Sequence, residues 1–304
     1  MAAVAIAIGA TAEAIAARHG EVTTYAGASA PLALLELMAA GTLVTSGLLS
    51  WRGRPRVAAL AVVAGLAWLA PDFVGWDAGP DGVRSVALLA QGVTLAAVVH
   101  LVAGAPSGRT TSPPARALVV AVYLELAVVT AGRALLRDPF QDPDCWSDCA
   151  TNVLLVHADP EAARFLTHAD LVFAVAVGVA LPTLSVARWL AASAAARRAL
   201  GPVLGAGSAF AVAQALWAAR LLHAPPEDPD RGAFAWLFAG RSAVLIALGA
   251  AIAWTVIRAA RARAAVGRLI GELRDAPAPL DLQGALAGAV GDPGLAVAYP
   301  IGDR

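Results

Sequence analysis

Lysine is absent from the chain, so all 22 basic residues are arginine and a phosphate-binding loop ending in G-K-[ST] is excluded. Cysteine occurs only at positions 145 and 149, with no second matched pair of the kind a structural zinc site needs. Charge is scarce: 14% of residues are Asp, Glu, Lys or Arg, against about a quarter in soluble domains. The formal net charge is zero, so no bulk field recruits nucleic acid. No Ser/His/Asp set and no H-E-x-x-H run can be assembled from the sequence, which leaves no catalytic residue, cofactor site or metal site to name.

What the chain does have is apolar sequence: 59% of residues are hydrophobic and the mean hydropathy is +0.69. Eight stretches stand out, at about 2–17, 31–51, 57–75, 84–104, 116–136, 170–190, 199–222 and 232–257. Most approach or exceed the roughly 20 residues needed to cross a bilayer, which predicts an all-α integral membrane protein with about eight spans. The first stretch is the weakest: it contains Glu13, is short, and lacks the basic n-region of a signal peptide. If it does not insert, seven spans remain and every other loop keeps its side.

Arginine placement sets the orientation. Thirteen arginines (52, 54, 56, 109, 116, 188, 197, 198, 258, 261, 263, 268 and 274) follow the second, fourth, sixth and eighth spans. The alternate loops hold Arg18, Arg84, Arg137, Arg164 and Arg231 with acids such as Asp72, Asp77, Asp81, Asp142, Asp144, Asp148, Glu227, Asp228 and Asp230. By the positive-inside rule both termini are expected in the cytoplasm, in a bacterial plasma membrane. Gly41, Gly47, Gly65, Gly178, Gly205, Gly207 and Gly249 suit close helix packing in lipid, although high-GC codon bias explains glycine and alanine enrichment as well.

The longest outer loop, expected over 137–169, reads RDPFQDPDCWSDCATNVLLVHADPEAARFLTHA. Three readings of Cys145 and Cys149 stand open: a local disulfide, a metal or redox site with Asp142, Asp144, Asp148, His157 and His168, or free thiols. Within the spans, Glu125 and Arg241 lie at matched depths from the outer face, which suggests an ion pair facing the bundle interior. Glu36, Arg133 and Arg220 fall nearer the outer interface, where long side chains reach water. Gln91, Gln214 and His100 read as ties between helices, or Glu36, Gln91 and Glu125 as the lining of a polar cavity beneath the outer loops. Pro182 is a candidate kink in the sixth span.

Beyond the last span, WTVIRAARARAAVGRLIGELRDAPAPL predicts a helix leaving the membrane. Ala259, Ala262, Val266, Leu269 and Leu273 follow the spacing of a coiled-coil seam; a membrane-anchored basic helix is the alternative. After Pro277 and Pro279, LDLQGALAGAVGDPGLAVAYPIGDR suggests one short helix, a GDPG turn and one strand, too little to bury a core. The expected divisions are a multi-span membrane domain over 1–258, a signalling helix over 259–275, and an unfinished domain over 276–304.

RDPFQDPDCWSDCATNVLLV and VGRLIGELRDAPAPLDLQGALAGAVGDPGLAVAYPI resemble the amino-terminal membrane half of actinobacterial sensor histidine kinases that work with LuxR-type regulators. The resemblance runs over essentially the whole chain. It implies a membrane input module, a signalling helix, and the opening of a GAF-like α/β domain, with a phosphoacceptor and an ATP-binding domain to follow. Those last two are not expected here: His19, His100, His157, His168 and His223 all fall in spans or outer loops. The chain is therefore expected to be truncated before the kinase core and to lack phosphotransfer of its own. The implied partners are the lipid bilayer, a second copy of the chain and, through a kinase core, a response regulator. A transporter or channel is the rival reading; it calls for a pair of broken helices repeated in two halves, which the sequence does not display. A membrane enzyme would have to use the outer-loop aspartates with His157.

Overall fold

The computed structural model describes residues 2–16, 24–74, 76, 79–141, 151–223 and 232–275. They form ten α-helices: α1 (Ala2–Ala16), α2 (Ala30–Ser50), α3 (Pro55–Trp68), α4 (Ala70–Val74), α5 (Asp81–Ala90), α6 (Val93–Ala103), α7 (Pro113–Leu136), α8 (Pro160–Ala191), α9 (Ala194–His223) and α10 (Ala233–Asp275). No strand occurs among the described residues. Cys145 and Cys149 with their neighbouring aspartates, and the segment 276–304 read as the opening of a GAF-like domain, lie outside them.

Six segments are long and apolar enough to cross a membrane: α2, the α5–α6 pair, α7, α8, α9 and α10 as far as Arg268. The chain is thus an all-helical, multi-pass membrane protein. Its outer surface agrees, since Leu34, Leu49, Val63, Val120, Leu124, Val128, Val179, Val186 and Leu216 are all exposed, as a lipid-facing surface requires. The other two expected spans form shorter apolar helices. Over 57–75 the helix stops at Leu69 because Pro71 lacks an N–H and its ring collides with the carbonyl four residues back, that of Ala67; α4 then starts afresh. In the fourth span the helix is irregular at Gln91–Gly92, between α5 and α6, although both residues keep right-handed helical dihedrals. Neither irregularity was expected from the sequence. By contrast α8 continues through Pro182, and α9 through Pro202.

Helix α8 begins ten residues before the span expected over 170–190, taking over the last ten residues of the expected outer loop. Asp159 caps it, its Oδ1 accepting from the Glu161 N–H at 3.1 Å and the Ala162 N–H at 3.0 Å, with Pro160 at the first helical position. Asn152 closes the shortened loop by donating to the carbonyls of Ala134 and Arg137, both at 2.9 Å.

The helices pack as neighbours in sequence and across the bundle: α2 against α3 and α10, α8 against α9, α9 against α10, α3 against α6. Backbones approach closely where glycine removes the side chain. A Cβ on Gly65 would stand 2.8 Å from the Ala40 carbonyl oxygen, and one on Gly47 2.8 Å from that of Ala58, so α2 and α3 meet through reciprocal glycines. Gly249 lets α10 rest on Thr42 of α2, whereas Gly41 and Gly205 face open space.

The arginine-rich end is tied by side chains reaching backbone. Arg188 of α8 donates from Nη1 to the carbonyls of Val102 and Ala103, both at 2.9 Å, and from Nη2 to that of Ala105 at 2.6 Å. These are carbonyls that the end of α6 leaves without helical partners, and a cation there also complements the helix dipole. Arg54 Nη1 donates to Thr255 Oγ1 at 3.2 Å, fastening the α2–α3 turn to α10. Truncating the clamp, Arg188→Ala, should lower stability by about 2 kcal/mol, since half-buried carbonyls lose charged donors but regain some water. Thermal unfolding of the purified protein in detergent checks this, with Arg188→Lys expected to fall between the two.

Candidate functional site

At the acid-rich end the bundle is hollow. A cavity of about 460 Å³ lies among α2, α3, α5, α6, α7, α8, α9 and α10, in the size range of small-molecule sites. Its polar lining comes from helix interiors. Glu36, Arg241, Gln214, Asp170, Gln91 and Glu125 lie six to eleven residues from the acid-rich ends of their helices, about 9–17 Å at ~1.5 Å rise per residue. Both residues of the irregular turn at Gln91–Gly92 line the wall. A second hollow of about 450 Å³ shares Thr167, Leu171 and Leu221 with the first and is bordered by Arg137, Asp138, Gln141, Arg164 and His168.

One wall is aromatic. Tyr25 meets Trp217 edge-on with centroids 5.2 Å apart and stacks on Phe238 at 5.7 Å. Trp68 stacks on the same Phe238 at 5.8 Å and meets Phe210 edge-on at 6.3 Å. The Arg241 guanidinium is held between two of these rings, 4.9 Å from the Trp68 centroid and 4.6 Å from that of Trp217. Away from water such contacts are worth about 2 kcal/mol each, which favours arginine with its planar cation.

The charge partners differ from the pair expected by depth. Arg241 interacts electrostatically with Glu36 and Tyr25, not with Glu125. Glu125 instead neighbours Asp170 of α8 and Arg133 of its own helix. The reason is the packing: α10 lies on α2 and α9, while α7 lies on α8 and α6, so equal depth does not put Glu125 and Arg241 on facing helices. Glu36 faces the inside of the bundle. Only 2% of its surface is exposed, and the carboxyls of Asp72, 1% exposed, and Glu13 stand beside it. Helices α1 and α10 pack on α2, and α4, packed on α1, carries Asp72 beside Glu36.

Several cavity-lining atoms have no hydrogen-bond partner: Glu36 Oε2, Glu125 Oε1 and Gln214 Oε1 among acceptors, Trp68 Nε1 and Arg241 Nε among donors. Buried polar groups are seldom left so without reason. His100 does serve as a tie, its Nδ1 lying 3.1 Å from the Tyr123 hydroxyl across α6 and α7. Among the described residues no group of three His, Cys, Asp or Glu is placed to hold a metal ion. Asp170, Asp72 and the aromatic wall were not foreseen as parts of a site. For Asp170 the signal was present in the D-P-E run at 159–161, which marks a helix start and puts residue 170 three turns inside.

Helix α10 links this cavity to the other side of the bundle. It runs 43 residues without a break, about 64 Å, from Ala233 past Arg241 to Asp275. It passes through the expected boundary at 258–259 as one helix, with Ala259, Ala262 and Val266 half-buried; Leu269 and Leu273 lie on its last turns. Exposed Trp51, Trp189 and Trp254 gather at the arginine-rich end, at the level where indoles favour the membrane–water boundary.

No protein-family model, curated protein or solved structure matches the chain. What fold and site define together is a class: a multi-pass helical membrane protein with a charged, aromatic-walled cavity inside its bundle.

Proposed function

We propose that this chain is the membrane input module of a two-component sensor histidine kinase. A signal received in the cavity or at the acid-rich loops passes along α10 to a cytoplasmic output domain. In this reading α1 and α3–α4 complete eight spans, both termini are cytoplasmic in a bacterial plasma membrane, and the cavity faces outward. The seam of Ala259, Ala262, Val266, Leu269 and Leu273 pairs with a second copy, and residues 276–304 open a GAF-like domain. The observation that carries the proposal is the continuity of α10. A single helix holds Arg241 between two indoles in the cavity and extends some 18 residues past Ile257, so repacking at the cavity has to move the seam. The effect is a differential stabilisation of two packings.

Fusing residues 1–274 in register to a complete kinase core should give autophosphorylation that depends on membrane insertion and changes when residues 142–150 are deleted. A fusion indifferent to both would remove the basis of the proposal.

The helix end at Leu69 and the irregular turn at Gln91–Gly92 beside the cavity favour a transporter as the second reading, because broken helices form many transport sites. Both features lie in the first third of the chain, while α8, α9 and α10 run unbroken, so the two-halves pattern of such transporters is not met. Solute flux in proteoliposomes separates the two readings.

A further inference from the structure

We infer that the cavity binds an amphipathic organic amine, its ammonium group held by carboxyls of the lining and its apolar body set against the aromatic wall. This names the ligand class of the cavity on which the sensor reading draws, but it rests on the lining alone and can be tested without a kinase.

Charge balance is the first reason. The lining carries three carboxyls, Glu36, Glu125 and Asp170, and two guanidiniums, Arg133 and Arg241. Arg241 serves Glu36, while Glu125 and Asp170 crowd together with Arg133 as their shared cation. Those two carboxyls also hydrogen-bond to one another and so share a proton, whose place an ammonium group can take, and like charges this deep in a bundle are costly. Asp72 and Glu13, behind Glu36, add to the negative field.

Hydrogen-bond balance points the same way. Glu36, Glu125 and Gln214, which line the cavity, each carry one buried acceptor oxygen without a donor: Oε2, Oε1 and Oε1 respectively. An ammonium group offers three donors and no acceptor, which suits such a surround.

Shape decides against a bare inorganic cation. About 460 Å³ is many times the volume of one ion, and much of the wall is Trp68, Phe210, Trp217 and Phe238. That wall already accommodates a cation, the guanidinium of Arg241. The neighbouring hollow, with Arg137, Arg164 and His168 beside Asp138, carries a mixed set of charges.

The test uses the whole chain in lipid nanodiscs, with tryptophan emission excited selectively as the readout, since Trp68 and Trp217 line the cavity. Tyramine and phenethylamine are the probes; 4-ethylphenol and 3-(4-hydroxyphenyl)propionate are the neutral and anionic isosteres. Saturable quenching by the amines, with both isosteres at least 10-fold weaker, is the expected result. Glu125→Gln and Asp170→Asn should each weaken amine binding at least 10-fold, while Glu161→Gln, in the first turn of α8, leaves it unchanged. Removing either carboxyl relieves crowding, so these variants should fold, and the isostere comparison on the unaltered chain needs no variant. Equal or better binding of the anion, no saturation by any probe, or a response to protons with none to amines would each overturn the proposal. Amine binding without any effect on the fused kinase would count against the sensor reading alone.

Discussion

Arg241→Ala should destabilise the bundle by about 4 kcal/mol, the cost of leaving Glu36 buried without its cation. At the size of this chain that corresponds to a fall of roughly 10 °C in unfolding temperature, readable by thermal denaturation in detergent. Two further variants separate charge from stacking. Arg241→Lys keeps the positive charge but gives up the flat cation between Trp68 and Trp217, and should lose about half as much. The double variant Glu36→Gln with Arg241→Met removes both charges and should recover about half of the loss, because no charge is left unpaired while the contacts with the two indoles stay lost. An Arg241→Ala protein that unfolds within a degree or two of the parent would show that Glu36 is compensated by something other than Arg241.

The second large effect concerns α10. Val256→Pro, one residue past the Arg54 to Thr255 hydrogen bond, deletes a backbone donor and drives a ring into the carbonyl of Ile252. The local cost is about 3 kcal/mol. The functional effect is expected to be greater: in the fused kinase, output should no longer respond to deletion of residues 142–150, while amine quenching in the cavity persists. Val256→Ala, which keeps the helix, should leave the response intact. A response surviving the proline would mean that the signal reaches the output by a route other than this helix.

The helical class and the membrane setting were legible because composition and long apolar runs report them directly, and hydropathy needs no knowledge of partners. Interruptions were harder to see. Pro71 falls within the span expected over 57–75, but a proline in a span can end a helix there or sit in one that continues, as Pro182 and Pro202 do, and packing decides which. At Gln91–Gly92 no proline marks the irregular turn at all. Cavity residues divide in the same way. Glu36, Gln91 and Glu125 could be grouped because each is a polar residue in an apolar run. Asp170 was lost to a misplaced helix start, although its cap was written in the sequence as Asp159, Pro160 and Glu161. Pairing was the least accessible feature: depth follows from counting residues, whereas azimuth follows from which helices touch. Glu125 and Arg241 agree in the first and differ in the second.

Taken as a rigid rod held at the Arg54–Thr255 hydrogen bond, α10 has unequal arms. Arg241 sits about 21 Å to one side of that point and Asp275 about 30 Å to the other, at ~1.5 Å per residue. A tilt about it would swing the far tip opposite to the Arg241 arm and by about 1.4 times as much, so under the sensor proposal a small shift between the two indoles would arrive enlarged and reversed in direction.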